Sequence, residues 1–298
     1  MQPAVAAGTT GRIRGAGVVT DGAYSGGVDV RWVTASDGVK IAYSDTGTRE
    51  ADPLVLVHGL GLSSSIWQGL GYVRALNDHR VVTVDLRGHG RSGRPDGPHR
   101  YDMAQLADDV AAVLDELGLE AVTYVGYSLG ARIGFSLLDR HPDRMRAFAS
   151  LAGAHRLRAG EAEEIFYPGY RDTIEHEGMA GFTARWRAAR PDIDAPTTLA
   201  LSHNDPAVLL ALLDVIDTDP GIPDQRLIDT AIPVLLVTGD EDGVGVRGAL
   251  VAARLLPNAI LVQLSGVGHT DILSRRDDLV SLITDLRRHG PTGARPGR

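Results

Sequence analysis

The sequence Val-Thr-Tyr-Val-Gly-Tyr-Ser-Leu-Gly-Ala-Arg, residues 122–132, joins an apolar run of β-forming residues to a helical pattern that begins at Ala131. Its serine, Ser128, lies in a Gly-x-Ser-x-Gly pattern on the turn between the predicted strand and the predicted helix. Such a sharp turn strains the backbone around the serine, and Gly126 and Gly130 leave room because they lack Cβ. The turn presents the Ser128 hydroxyl at a helix N-terminus, where amide groups and the helix dipole favour negative charge.

By itself, a Gly-x-Ser-x-Gly pattern has two interpretations. It can carry a nucleophilic serine, or it can be a glycine-rich turn in which Ser128 only caps the following helix. The rest of the chain has to supply a base and an acid before the first interpretation is favoured.

The composition indicates a globular protein with one sizeable domain and room for an insertion. The chain has 298 residues, of which 43% are hydrophobic and 23% are charged. A net charge of −8 argues against nucleic-acid binding, which needs a basic face. The absence of cysteine excludes disulfides, thiolate catalysis and cysteine-ligated zinc. No apolar run is as long as a membrane span.

Strand and helix patterns alternate through the first half of the chain. Alternation of this kind predicts an α/β fold with a mostly parallel central sheet and helices on both faces. Before it, Asp-Gly at residues 37–38 predicts a hairpin between residues 28–35 and 39–44. The predicted buried strands are Leu54–Val57, Val81–Val84, the run from Val122, Arg146–Leu151, Ile232–Val237 and Ile260–Leu264, and the predicted helices include Ile66–Leu76, Met103–Leu117, Arg247–Leu256 and Asp271–Arg288.

The alternation stops at about residue 155, and helical patterns without a buried strand continue to about residue 230. We therefore expect residues 28–154 and 231–289 to form the core, and residues 155–230 to form a helical cap inserted over the sheet. Residues 1–27 are expected to be a flexible leader and residues 290–298 a flexible tail. Because the leader lacks the apolar centre of a signal peptide, a cytoplasmic location is expected.

The polar residues that follow the predicted strands supply the partners that Ser128 needs. Asp240 and Asp242 follow one strand, and His269 follows another in a glycine-flanked loop. Because ligands of parallel sheets gather beyond the carboxyl ends of the strands, these side chains are expected to meet. Serine, aspartate and histidine in this chain order are typical of an α/β-hydrolase.

Five segments together make the chain resemble the α/β-hydrolase superfamily, and in particular its cap-bearing esterases, lactonases and haloperoxidase-like enzymes. The segments extend over most of the chain, roughly residues 28–288. They are His58-Gly59-Leu60-Gly61, Asp85-Leu86-Arg87-Gly88-His89-Gly90-Arg91-Ser92, Gly126-Tyr127-Ser128-Leu129-Gly130, Gly239-Asp240-Glu241-Asp242 and Gly266-Val267-Gly268-His269.

The resemblance implies a role for individual residues. It makes Ser128 the nucleophile, His269 the base and Asp242 the acid, with Asp240 as a second candidate that is better explained by a hydrogen bond within its turn. It also implies an oxyanion hole formed by the backbone amides of Leu60 and Leu129.

Other residues of these segments have a structural and a functional interpretation. His58 could act as a second base, but a structural role in the oxyanion loop is favoured, and His89 is also interpreted as structural. Asp85 could replace the acid, but stabilisation of its turn is favoured. A serine nucleophile, in place of the aspartate that dehalogenases and epoxide hydrolases of this fold use, argues against those two reactions.

The aromatic residues near the predicted site indicate an apolar pocket. Trp67 follows the oxyanion loop, Tyr127 precedes the nucleophile where many relatives have His or Trp, and Phe166 and Trp186 lie in the predicted cap. These four residues are the predicted substrate-binding residues, although packing within the cap would also explain the last two.

The sequence thus predicts a serine hydrolase that cleaves a carboxylic ester or lactone of a small, largely apolar molecule through an acyl-enzyme. No cofactor and no metal are expected, and no partner besides the substrate, with a monomer or homodimer as the assembly. One alternative is a C–C bond hydrolase or another specialised biosynthetic enzyme of the same fold. The other is a non-catalytic receptor that binds its ligand in the same pocket.

Overall fold

The structure, a computed structural model, describes residues 29–158, 160–190, 193 and 195–289. The predicted leader, residues 1–27, and the predicted tail, residues 290–298, lie outside the described residues. Within these described residues, eight strands form one sheet in the order β1-β2-β4-β3-β5-β6-β7-β8. The strands are β1 Val30–Thr34, β2 Lys40–Gly47, β3 Pro53–Val57, β4 Arg80–Val84, β5 Val122–Tyr127, β6 Met145–Leu151, β7 Val234–Gly239 and β8 Ala259–Leu264.

The sheet is parallel from β4 to β8, whereas β1 pairs antiparallel with β2 and β2 pairs antiparallel with β4. Every residue of β3, β5 and β7 is buried, because apolar clusters cover both faces of the sheet. Continuous apolar strands are typical of parallel sheets that are covered on both sides. The predicted fold class, a mostly parallel sheet with helices on both faces, is confirmed.

Helices follow most of the strands, and in the part of the chain that the structure describes five of them lie between β6 and β7. The third helix agrees with its prediction, since the Asp102 carboxylate accepts a hydrogen bond from the amide of Gln105 and caps its first turn. The helices are α1 Ser65–Gly69, α2 Tyr72–Ala75, α3 Met103–Glu116, α4 Leu129–Arg140, α5 Glu161–Ile165, α6 Tyr170–Ala189, α7 Ala195–Ser202, α8 Pro206–Thr218, α9 Asp224–Ile228, α10 Gly243–Leu255 and α11 Arg276–His289.

Three predicted helices are wrong in their extent. The helix predicted from Arg247 already begins at Gly243, after the Asp242 cap. The helix predicted over residues 66–76 is two short helices, because Gly71 has a φ of 80° and interrupts the right-handed path. The helix predicted from Asp271 begins only at Arg276. Asp271 instead accepts a hydrogen bond from the amide of Gly268, 2.7 Å away, and so stabilises the loop that carries His269.

The helices α5 to α8 have an apolar cluster of their own and cover one end of the sheet, whereas Leu227 of α9 packs in the main core. The cluster includes Tyr170, Phe182 and Trp186, and Leu60 from the loop after β3 packs against it. The Asn204 side chain donates a hydrogen bond to the carbonyl of Gly61, 2.6 Å away, and so attaches this helical segment to the same loop. No helix among the described residues is long and apolar enough to span a membrane.

Candidate active site

Ser128 lies between β5 and α4 in a conformation that few non-glycine residues adopt. Its φ is 52° and its ψ is −112°. Backbone approaches this turn closely, since a Cβ on Gly126 would be 2.4 Å from the carbonyl oxygen of Gly130, and a Cβ on Gly130 would be 2.3 Å from that of Val57. The two glycines of the motif are therefore needed for close packing of the turn against α4 and β3.

The structure brings together the three side chains that the sequence predicts as nucleophile, base and acid. Oγ of Ser128 lies 2.9 Å from Nε2 of His269, and Nδ1 of His269 lies 2.8 Å from Oδ2 of Asp242. In the tautomer that fits both contacts, Nδ1–H donates to the carboxylate and Nε2 accepts from the serine hydroxyl. The arrangement can remove a proton from Ser128 while Asp242 holds the imidazole in place.

Asp242 is buried and its two oxygens have different partners. Oδ2 accepts from His269, while Oδ1 accepts from the amide of Gly245 at 2.9 Å and caps helix α10. Burial by itself would raise the pKa of Asp242, but the His269 charge and hydrogen bond and the Gly245 amide outweigh it and leave that pKa lowered. The carboxylate is therefore ionised at neutral pH.

Asp240, the other candidate acid, does not contact His269 and is exposed to solvent. Its Oδ1 accepts a hydrogen bond from the amide of Gly266 at 2.8 Å, which joins the loop after β7 to the loop after β8. The bond therefore links two loops, and it differs from the bond within its own turn that the sequence interpretation assigned to Asp240.

Two buried histidines hold the loop that follows β3. Nε2 of His58 accepts from the Leu86 amide at 3.1 Å, and Nε2 of His89 accepts from the Gly61 amide at 3.0 Å. Burial lowers the pKa of His58 and lowers the pKa of His89 to about 3, so both rings are neutral. Their contacts fit the structural interpretation and not that of a second base.

The loop held in this way lies directly against the nucleophile. A Cβ on Gly59 would be 2.9 Å from Cδ1 of Tyr127 and 3.2 Å from Cβ of Ser128. Leu60 and Leu129 line the same cavity as Ser128 and His269, and neither of their amides donates a hydrogen bond to another described residue. These two N–H groups are thus available to a negatively charged oxygen formed beside Ser128.

The two carboxylate oxygens of Asp85 accept hydrogen bonds from the loop after β3 and from its own loop after β4. Its Oδ1 accepts from the Ser64 amide at 2.6 Å, and its Oδ2 accepts from the Arg91 amide at 2.9 Å. These contacts agree with a turn-stabilising role and leave no contact with His269.

Three of the four predicted substrate-binding residues line the cavity: Tyr127, Phe166 and Trp186. Tyr127 also donates a hydrogen bond from its hydroxyl to the carbonyl of His269, 2.9 Å away. The prediction that Trp67 lines the pocket is wrong. Trp67 is fully buried and packs edge-to-face on Tyr72, because α1 turns it towards the apolar cluster on one face of the sheet.

Several residues of the cavity wall were missed by the sequence interpretation. Arg132 could have been found from its spacing, since it lies four residues after Ser128 on α4 and so on the same helix face. Thr270 follows His269 directly, and its buried hydroxyl has no hydrogen-bonding partner among the described residues. Nothing in the sequence identifies the apolar wall residues Leu62, Ala154, Leu157, Leu201, Leu213, Ile216 and Val244.

The relatives of this chain are α/β-hydrolases. The family model described as alpha/beta hydrolase fold matches residues 52–176. The chain is 40% identical over 284 residues to a bifunctional esterase/perhydrolase DCH of Acinetobacter calcoaceticus, covering 85% of this chain and 99% of that protein. It is 30% identical over 283 residues to a non-heme haloperoxidase of Rhodococcus erythropolis, covering 85% of this chain and 98% of that protein.

The solved structures that resemble it include an enol-lactonase from Burkholderia xenovorans LB400. The TM-score is 0.73 at 25% identity, with 86% of this chain and 99% of that chain covered. The esterase RhEst1 from Rhodococcus sp. ECU1013 gives a TM-score of 0.74 at 26% identity, with 88% of this chain and 99% of that chain covered. The order of the strands, the strained turn at Ser128 and the similarity to these proteins all indicate the same family. The chain belongs to the alpha/beta hydrolase fold family of enzymes.

Proposed function

We propose that this protein is a serine hydrolase that cleaves a carboxylic ester or lactone of a small, largely apolar molecule through an acyl-enzyme. The observation that supports this proposal best is the continuous contact from Ser128 through His269 to Asp242, at 2.9 Å and 2.8 Å. The names of relatives with esterase and enol-lactonase activity support the same class of substrate.

In the first half of the proposed reaction, Oγ of Ser128 attacks the carbonyl carbon while Nε2 of His269 accepts the hydroxyl proton. The carbonyl oxygen becomes negative, and the amides of Leu60 and Leu129 donate to it. Collapse of this intermediate expels the alcohol, which takes the proton from His269. Asp242 stabilises the imidazolium in the interval.

In the second half, water attacks the acyl carbon and gives its proton to His269. The same two amides hold the oxyanion, and departure of Oγ with a proton from His269 restores the hydroxyl of Ser128. In a lactone the alcohol and the acid belong to one molecule, so a hydroxy acid is the product. Neither half requires a metal or a cofactor.

The wall of the cavity supports the proposed substrate class. Most lining residues are apolar, and Phe166 and Trp186 from the helical segment lie opposite the sheet side of the cavity. Such a wall favours an apolar acyl or alcohol group, because water leaves apolar surface when the substrate binds. We therefore propose that residues 155–230 act as a cap that contributes to the choice of substrate.

A comparison of p-nitrophenyl butyrate with a short-chain lactone tests the proposal. We expect turnover of at least one of them, and a rate reduced by roughly 10⁴- to 10⁶-fold in Ser128→Ala, the scale on which nucleophile loss acts in other triads. A fluorophosphonate probe should label the native protein at Ser128 and leave the variant unlabelled. Turnover that survives in the variant would contradict the assignment of the nucleophile.

The alternatives give different results in the same experiment. A receptor would bind ligand tightly and turn over neither substrate, and a C–C hydrolase would need a ketone substrate for appreciable turnover. A second candidate activity, perhydrolysis, is favoured by the 40% identical relative, whose name includes both activities. Hydrogen peroxide would then replace water as the attacking group and release a peracid, which an assay for peracid formation would detect.

The assembly and the location stay predictions. A monomer or homodimer is proposed, and size-exclusion chromatography with light scattering would distinguish them. A cytoplasmic location is also proposed, and fractionation of cells that produce the protein would test it.

A further inference from the structure

The loop after β3, which carries the proposed oxyanion donor Leu60, is a tight turn. The amide of Leu62 donates to the carbonyl of Gly59 at 3.2 Å, and the third residue of the turn, Gly61, has a φ of 74°. A peptide unit is a rigid plane, so the Gly59 carbonyl and the Leu60 N–H, which belong to one unit, turn together. A hydrogen bond that fixes the Gly59 carbonyl therefore also fixes the direction of the Leu60 N–H.

Two buried histidines hold this turn from the side of the core. Nδ1 of His58 donates to the Gly59 carbonyl at 2.8 Å, because its other nitrogen accepts from the Leu86 amide. The amide of Gly61 donates to Nε2 of His89 at 3.0 Å. These bonds leave the carbonyl of Gly61, at the other end of the turn, for a donor from elsewhere.

The donor to the Gly61 carbonyl comes from the helical segment. Nδ2 of Asn204 lies 2.6 Å from this oxygen, and it lies 2.9 Å and 3.2 Å from the carbonyl oxygens of Ala200 and Leu201 at the end of α7. Because all three neighbours are acceptors, the amide nitrogen of Asn204 fits there and its amide oxygen does not. No other group among the described residues donates to the Gly61 carbonyl.

The contact between the turn and α7 is close. A Cβ on Gly61 would lie 2.4 Å from Cδ2 of Leu201, and Leu60 packs against the apolar cluster of the helical segment. Gly61 is buried, so its carbonyl would be unfavourable without the Asn204 donor. The peptide unit between Gly61 and Leu62 would then turn towards another donor, and its N–H would leave the Gly59 carbonyl.

We propose that Asn204 is a positioning residue for the oxyanion hole. Its side chain fixes the peptide unit between Gly61 and Leu62. The N–H of that unit holds the Gly59 carbonyl, and with it the direction of the Leu60 N–H. The inference rests on the proposed hydrolysis, since this direction matters only when an oxyanion forms. The helical segment thus contributes to the geometry of the reaction as well as to the wall of the cavity.

The effect of Asn204 is expected in the transition state and not in substrate binding. The carbonyl oxygen of the bound ester is uncharged, whereas in the transition state it becomes negative and needs a correctly directed donor. Complete loss of one such donor costs about 10²- to 10³-fold in kcat, so a misdirected donor should cost less. For Asn204→Ala we expect a roughly 10-fold lower kcat and a KM changed by less than about twofold.

A pair of ketones separates the oxyanion from the rest of the cavity. Oγ of Ser128 adds reversibly to the carbonyl carbon of 1,1,1-trifluoroheptan-2-one, the carbonyl electron pair moves to the oxygen, and the hydroxyl proton moves to His269. Heptan-2-one has the same chain and stays a neutral ketone. In Asn204→Ala we expect the Ki of the fluorinated ketone to rise by the factor by which kcat/KM falls, and the Ki of heptan-2-one to stay at the native value.

Two further variants distinguish positioning from a structural role. Asn204→Asp has the same size but offers no N–H to the Gly61 carbonyl, so its kcat should fall at least as far as that of Asn204→Ala. A residue that only filled space would keep its kcat in this variant. The matched control is Asn258→Ala, which removes a bond of 2.8 Å from Nδ2 to the Ala231 carbonyl outside the wall of the cavity. That control should keep kcat and both Ki values.

The outcomes separate this inference from the proposed function. No turnover by the native protein would refute both. Turnover by the native protein with an unchanged kcat in Asn204→Ala, or an equal rise of the two Ki values, would overturn the role of Asn204 and leave the hydrolase standing. If neither Asn204 variant folds, a crystal structure of the native protein with the fluorinated ketone gives a second reading. We expect its oxyanion at the Leu60 amide and Asn204 on the Gly61 carbonyl; a Gly61 carbonyl without Asn204 would overturn the inference.

Discussion

A Cβ atom on Gly245 would lie 2.2 Å from Oδ2 of Asp242, the oxygen that accepts the hydrogen bond from His269. The helix that Asp242 caps therefore has no room for a side chain at its third position. The small residue at 245 is as much a part of the geometry around His269 as the carboxylate, although it carries no functional group.

Replacement of Gly245 by alanine tests this relationship. Alanine favours a helix by about 1 kcal/mol over glycine, but its methyl group would displace the Asp242 carboxylate from His269. We expect kcat to fall by roughly 10- to 100-fold, short of the ~10⁴-fold loss when a triad acid is replaced. The control is Gly243→Ala on the same helix, where a Cβ would have 3.4 Å to its nearest neighbour, Arg247. Equal kcat values for the two variants would contradict the steric argument.

The choice between the two aspartates after β7 gives a second prediction. Asp242→Asn should lower kcat by about 10⁴-fold, because the amide cannot hold the required tautomer of His269. Asp240→Asn should retain most of the activity, since Asp240 only accepts from the Gly266 amide. Steady-state kinetics with one ester substrate are sufficient. A larger loss in the Asp240 variant would mean that the acid is assigned to the wrong residue.

Tyr127 is expected to act through the loop that carries His269. In Tyr127→Phe the carbonyl of His269 loses a donor, which should cost about 1 kcal/mol in the free energy of unfolding. Because this hydrogen bond holds the backbone of His269, the proposed base, its loss should also lower kcat. A rise of up to about 1.4 kcal/mol in the activation barrier corresponds to a decrease of roughly 3- to 10-fold. Tyr72→Phe removes a similar bond, to the Leu273 carbonyl at 2.8 Å. Tyr72→Phe should lose stability and keep its kcat. An equal loss of kcat in the two variants would refute a specific role of Tyr127 in positioning His269.

The neutral histidines that hold the loop after β3, His58 and His89, predict that the stability of the protein is sensitive to acid. The pKa of His89 falls from 6.5 to about 3 on folding, so between these values the unfolded chain binds the additional proton. Stability is complete above about pH 6.5 and falls as the pH decreases, by up to about 1.4 kcal/mol per pH unit from this residue. Urea unfolding of the native protein and of His89→Gln at pH 7, 6 and 5 should show a smaller slope in the variant. Identical slopes would show that His89 does not contribute.

Much of the fold could be predicted from local sequence because each element carries its own pattern. The buried strands are short apolar runs, and the helix from Met103 has an aspartate cap before it. The extents of α1, α2 and α11 could not be predicted in the same way. Gly71 and Asp271 fit a helical pattern, but their conformation and hydrogen bonds depend on neighbours in the folded loops.

The residues of the candidate site also differ in whether local sequence could predict them. Strand ends and chain order were sufficient to select Ser128, His269 and the pair Asp240 and Asp242 as candidates, because parallel strands place their carboxyl ends at one edge. The resemblance to the family then favoured Asp242. The position of Trp67 could not be inferred, since its distance along the chain from the oxyanion loop does not say which face of a short helix it occupies. The role of Arg132 as a cavity wall depends on α8 and the chain after it returning to α4.

The sequence by itself determined the family, the parallel sheet and the order of serine, aspartate and histidine, because each is encoded in short segments that need no distant partner. The tertiary structure alone decided which aspartate contacts the imidazole, which aromatic residues face the cavity and which side chain of the helical segment holds the loop after β3. Contacts of this kind join residues far apart in the chain, and their distances depend on how the helical segment packs over the sheet.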